Sequence, residues 1–152
     1  MPVKRAYFVS MLVAASGFGC LDASRGNLAY KDTSPPSVLS TIPAPNATLA
    51  RTSPISITFS EAMDLRTLGA GIQLAKAGTA VPLVLGIPSP EELPQTADNV
   101  DQPYTISARP VAGSFEPSVG SALDYLLTLT TLLTDEAGNA LPTPLQIRFT
   151  VM

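Results

Sequence analysis

The sequence predicts an all-β fold, a single two-sheet sandwich of about seven strands behind an export signal and a tether. Three observations predict it. Apolar residues recur at every second position in four separate segments. Fifteen prolines and ten glycines punctuate the chain. No stretch sustains the 3.6-residue period of a long helix. The 152 residues, 45% of them apolar, suffice for one core and are too few for two comfortable ones.

The first element is an address. Lys4 and Arg5 precede a thirteen-residue uncharged stretch, Ala6 to Phe18, and then come Gly19 and Cys20. A basic region followed by a short apolar run is the pattern of a secretory signal peptide. A permanent span needs about twenty apolar residues, so this run is too short for one. The placement of the only cysteine resembles the lipobox of bacterial lipoproteins. The small Gly19 fits that pattern, and Gly17 stands where the family prefers leucine. The resemblance implies removal of residues 1–19, lipidation of Cys20 and a membrane partner through that lipid. Leu21 in the next position implies the outer membrane by the enterobacterial sorting rule. Ordinary secretion, with cleavage after Ala15 or Ala23, is the alternative.

Residues 20–34 carry mixed charges and no apolar periodicity, and read as a flexible tether. Loss of residues 1–19 removes Lys4 and Arg5, which leaves seven basic residues against twelve acidic ones. That mildly acidic balance is consistent with an exported domain, and the net charge of −3 of the whole sequence argues against a nucleic-acid partner. Pro35-Pro36 opens the domain, 35–152, because the residue before a proline favours extended backbone.

Four segments carry the β signal most clearly. Ile55, Ile57 and Phe59 alternate with Ser56, Thr58 and Ser60. Tyr104, Ile106 and Ala108 alternate with Thr105, Ser107 and Arg109. Tyr125, Leu127 and Leu129 form a third set, and Leu145, Ile147, Phe149 and Val151 a fourth. Such alternation puts one face in a core and the other in water. Three shorter candidates are Val38 to Ile42, Gly71 to Ala75, and Val81 to Ile87. Ser60 to Leu68 has room for a turn or two of helix. Nothing between the strands is long enough for the crossover helices of a parallel sheet. The count and the turn-rich connections predict an immunoglobulin-like sandwich.

Three patches narrow this further. Pro36 to Pro45 reads P-S-V-L-S-T-I-P-A-P, and Ile55 to Asp64 reads I-S-I-T-F-S-E-A-M-D. Tyr125 to Leu141 ends in T-D-E-A-G-N-A-L, ahead of a last strand around Ile147-Arg148-Phe149-Thr150. In this order the patches resemble a bacterial Ig-like domain of the SbsA type, over roughly residues 36–151. The resemblance implies a non-catalytic role on the cell envelope, as in S-layer proteins, adhesins and envelope lipoproteins. Two features depart from it: a long middle segment, Gly86 to Pro103, and a single copy of the domain.

In such a sandwich the loops after the second and sixth strands lie at one end. Glu61, Asp64, Asp135 and Asn139 are therefore candidates to converge there. Calcium takes several carboxylate and carbonyl oxygens at flexible loops, which makes it the candidate ion. Capped turns with solvated carboxylates are the other reading. Gly86 to Pro103 holds four acids, Glu91, Glu92, Asp98 and Asp101, with four prolines and no base. It reads as a binding loop or as a tolerated insertion. Tyr125 is placed for a tyrosine corner or as a plain core aromatic. Edge strands offer strand addition as a route to a partner, and Pro54 and Pro82 blunt some of them.

No histidine, no tryptophan and one cysteine are present. That excludes Ser-His-Asp and Cys-His nucleophiles, His- or multi-Cys zinc sites, and an internal disulfide. The adjacent pairs Glu91-Glu92 and Asp135-Glu136 do not face each other, so no acid–base pair is visible and no enzyme is expected. The reading is an envelope-anchored structural, adhesive or protein-interaction module without cofactor, its partner an envelope protein or polysaccharide. A calcium- or glycan-binding module is the alternative.

Overall fold

The computed structural model describes residues 32–88, 102–116 and 122–152. Two sheets form a sandwich. Its strands are β1 (Val38–Ile42), β2 (Thr48–Leu49), β3 (Ile55–Phe59), β4 (Ile72–Lys76), β5 (Thr79–Val81), β6 (Leu83–Gly86), β7 (Tyr104–Pro110), β8 (Leu123–Leu129) and β9 (Leu145–Val151). One short helix, α1 (Leu65–Gly71), lies between β3 and β4. The four-stranded sheet runs β1-β3-β7-β6 and the five-stranded sheet β2-β9-β8-β4-β5.

The four clearest alternating segments become β3, β7, β8 and β9, and their apolar sets fill the core. Ile55, Ile57, Phe59, Ile106, Ala108, Leu127 and Leu129 are fully enclosed. Register fixes the two ends of the sandwich. Val38 and Tyr104 both pair with Phe59, and Ile72 and Leu145 both pair with Leu129. The segments before β1, between β3 and β4, and between β8 and β9 therefore share one end, the upper end below. The Ala77–Gly78 turn and the 110–116 segment close the lower end.

Two expectations change. Val81 to Ile87 is not one strand. Pro82 lacks the N–H that a ladder needs, and the chain switches sheets there. β5 pairs with β4, while β6 pairs with β7. Pro54 blunts no edge, because it precedes the central strand β3. The edges are managed otherwise. β1 carries a register shift between Val38 and Ser40, β2 and β5 are two and three residues long, and β6 lies between Pro82 and Pro88. The two-residue β2 escapes sequence reading, and it pairs in parallel with β9.

The helix forms where the expected turn stood, a few residues later. Asp64 caps it, accepting from Arg66 N at 3.0 Å. Leu68 is its buried anchor, and Gly71 ends it where space is shortest. A Cβ on Gly71 would stand 2.4 Å from Leu133 Cγ, so only glycine lets the helix lie against the 130–134 turn.

Phe115 was not predicted as core. It enters from the loop after β7 and is 1% exposed. Its ring meets Tyr125 and Phe149 edge-on, with centroids 5.1 and 6.1 Å away, and those two rings stack at 5.7 Å. Phe115 N donates to Arg51 O at 3.1 Å, and Lys76 pairs with Glu116 alongside. Tyr125 packs in the core, 3% exposed, and most of the segment that would complete a tyrosine corner, residues 117–121, lies outside the described residues.

The β4–β5 hairpin turns at Ala77 and Gly78, with φ of 47° and 82°. Two residues at positive φ make a turn that favours Asn-Gly. Alanine is disfavoured in that region by roughly 1 kcal/mol. Ala77 is exposed, so Ala77→Asn is expected to raise stability by about 0.5–1 kcal/mol, read as a higher urea midpoint at unchanged slope.

Candidate functional site

The upper end gathers acidic side chains from three separate segments. Glu61 follows β3. Its backbone is fixed by the pair before it, where Ser60 N donates to Ser37 O and Ser37 N to Ser60 Oγ, both at 2.9 Å. Ser60 Oγ donates to Glu61 Oε1 at 3.3 Å. Met63 then folds inward, 1% exposed, and bridges to Asp135.

Asp135 opens a tight turn between β8 and β9. Asn139 donates to it twice, from N to Oδ1 and from Nδ2 to Oδ2, both at 2.8 Å. Gly138, at φ 92°, supplies the left-handed position that closes the turn. Asn139 Nδ2 also donates to Asp32 O at 3.2 Å. That bond ties the first described residue to this end.

The result is a set of three carboxylates, Asp32, Glu61 and Asp135, whose oxygens lie within 4.8 Å of one another. Asp135 is 1% and Glu61 6% exposed, and Asp32 is half-buried. Carboxylates so close repel unless a proton, donors or a cation compensate. Asn139 compensates in part, through its two bonds to Asp135.

Of the four residues singled out for calcium, the fold brings Glu61 and Asp135 together and adds Asp32. Asn139 turns its amide donor toward Asp135 and Asp32, so it positions Asp135. Asp64 does other work. Besides capping α1, it is clasped by Arg66 through Nε and Nη2, the latter at 2.7 Å. Those hydrogen bonds hold its carboxyl below the usual carboxylate range. Asp32 carried no signal in the sequence, because it lies in a stretch without periodicity that reads as tether. Cys20 and the acidic residues Glu91, Glu92, Asp98 and Asp101 lie outside the described residues.

Tyr104 begins β7 near the same end. Burial, together with the Glu136 carboxylate, pushes its hydroxyl above the usual value. Its contribution to stability is therefore complete below the unfolded value, about pH 10, and lost as pH rises through the higher folded one. Tyr104→Phe is expected to flatten the decline in stability that sets in as pH rises above about 10, read from denaturant midpoints across the alkaline range.

At the lower end a cavity of about 440 Å³ is lined by Val81, Pro82, Pro110, Val111 and Phe115, with the Lys76–Glu116 pair beside it. Among the described residues no two carboxylates face each other across it.

A two-sheet sandwich with this order of motifs invites comparison with known families. The family model for the bacterial Ig-like domain matches residues 32–151. The chain belongs to the bacterial Ig-like domain family. The match begins at Asp32, the residue that Asn139 ties to the upper end. No curated protein matches the chain. Bacterial Ig-like domains are generally non-enzymatic structural modules, and membership suggests a structural, surface or extracellular role for this chain. Among the described residues no helix is long and apolar enough to cross a membrane.

Proposed function

We propose that this Ig-like domain is a lipid-anchored structural and interaction module of the bacterial envelope, held by Cys20 and meeting an envelope protein or polysaccharide. One observation carries the anchor. The only cysteine stands just behind the apolar leader stretch, twelve residues before the first residue of the family match. Acyl chains contribute about 0.8 kcal/mol per buried CH₂, so several together hold a protein firmly. Leu21 after the cysteine supports the outer membrane as the destination.

Labelling cells with an alkyne fatty acid tests the anchor. The wild-type chain is expected to take up label and sediment with membranes, and Cys20→Ala to lose both. A soluble, unlabelled wild-type protein would make this an ordinary exported domain.

A second reading is favoured by the carboxylates at the upper end. Asp32, Glu61 and Asp135 form an all-oxygen donor set, which suits a hard cation such as calcium. An ion there would fasten the incoming chain to both loops. Calcium would then act as a structural clasp, with Asn139 orienting Asp135.

A further inference from the structure

Among the described residues, β1, β2, β5 and β6 edge the two sheets. β2 and β5 are two and three residues long, and β1 shifts register between Val38 and Ser40. β6 is the regular one, and its pairing with β7 fixes which of its groups are free. Val111 N donates to Pro82 O at 3.0 Å. Antiparallel pairs alternate between bonded and non-bonded, so the next bonded pairs are Val84 with Arg109 and Gly86 with Ser107. Leu83 and Leu85 stand opposite Pro110 and Ala108, and Pro110 has no N–H to give. The N–H and C=O of both leucines therefore turn away from β7, to the open edge.

The side chains at this edge are as incomplete as its backbone. Val84, on the outer face, is 57% exposed. Leu83 and Leu85 point inward, yet both stay half-buried, because β5 stops at Val81 and does not close over them. A cavity of about 520 Å³ opens beside them, lined also by Ile72, Leu74 and Val81. Among the described residues no charged side chain lines it.

We infer that a second copy of this chain covers this edge, β6 against β6, about a two-fold axis through Val84. The symmetry of the edge selects that occupant. Leu83 and Leu85 flank Val84 evenly, so an antiparallel copy sets Leu83 opposite the partner's Leu85, and Leu85 opposite the partner's Leu83. Both pairs are of the bonded kind, which satisfies every free group of the two leucines on each copy. Val84 meets the partner's Val84 in a non-bonded pair, with Cα atoms about 4.5 Å apart. The inward leucines of the two copies lie side by side under the joined sheet and narrow both cavities.

Charge permits the contact. Arg109 is the one charged residue in the strands of this sheet. Across β6 and its copy the two Arg109 side chains start about 14 Å apart, beyond the screening length of about 8 Å. A lasting interface takes about 800 Å² from each side, and one short strand supplies less. The copies therefore exchange, and a covalent trap reads the contact better than a size measurement. The inference is independent of the lipid anchor.

The test uses the full chain with Cys20→Ala, so that each introduced cysteine stands alone. Val84→Cys places two thiols across the axis at a spacing that a disulfide accepts, about 4.4–6.8 Å between Cα atoms. Leu39→Cys is the control, on β1 at the other edge of the same sheet and 56% exposed. Under mild oxidation Val84→Cys is expected to form disulfide dimers several-fold faster than Leu39→Cys. Leu85→Pro, added to Val84→Cys, removes an edge N–H that β7 does not use. It is expected to bring the rate down to the control's, on protein whose urea transition shows it folded. Equal rates for Val84→Cys and Leu39→Cys overturn the inference, as they would if another part of the same chain covered the edge. A rate that Leu85→Pro leaves unchanged overturns the strand pairing as well. A disulfide formed in cells between Val84→Cys and a protein of another mass would assign the edge to a different partner, and so also overturn it.

Discussion

Phe115→Ala is expected to lose about 3–5 kcal/mol of stability. A side chain on a loop would ordinarily cost far less. Here the ring is 1% exposed and edges against both Tyr125 and Phe149. Each such aromatic contact is worth about 0.5–1.5 kcal/mol beyond its buried area. The cavity left by alanine cannot collapse easily. The backbone on either side is held by Arg51, whose carbonyl accepts from Phe115 N and whose Nε donates to Phe115 O at 3.3 Å. Domains of this size hold only about 5–15 kcal/mol in total, so the loss is a large fraction. Urea denaturation measures it directly. Phe115→Leu keeps most of the volume and is expected to cost under half as much. A loss below about 1 kcal/mol for the alanine variant, typical of a surface change, would show that the loop does not plug the sandwich.

Asp135→Ala carries the second large effect, about 2–4 kcal/mol. Its carboxylate is enclosed and accepts from both the backbone and the side chain of Asn139. Removing it strands two donors in a site nearly closed to water. The turn loosens, and with it the bond from Asn139 Nδ2 to Asp32 O. Calcium adds an independent arm. If the three carboxylates hold an ion, calcium at ten times its dissociation constant stabilises the wild type by about 1.4 kcal/mol, with no shift in Asp135→Ala. Melting curves in millimolar calcium and in chelator separate the two effects. A wild-type curve indifferent to both ends the calcium reading, while the destabilisation by Asp135→Ala stands, because the turn alone accounts for it.

How much of this was legible depended on periodicity. β3, β7, β8 and β9 are half-buried strands, and their alternation writes the core into the sequence. The Ile55–Phe59 run and the Asp135–Asn139 turn also placed Glu61 and Asp135 at one end, because hairpin-like connections leave little freedom. Three features had no such signal. Phe115 sits among glycine, serine and proline, where burial follows only from the sheets around it. Pro82 marks a break, and only pairing partners reveal that the break moves the chain between sheets. Asp32 joins the carboxylates through a bond to a residue more than a hundred positions away. Asp64 had the type and the spacing for a ligand, and its neighbour Arg66 and the helix start claimed it first.

The strands of both sheets run between the two ends of the sandwich, and the chain comes in at one of them. A pull applied between the two ends is therefore directed along the strands. Ladder hydrogen bonds lie across that direction, so they bear the load together, in shear, instead of parting one after another like a zipper. The sheet switch at Pro82 links the two layers covalently, which opposes their sliding past each other. A module stretched in this way resists as a whole before any single strand peels away.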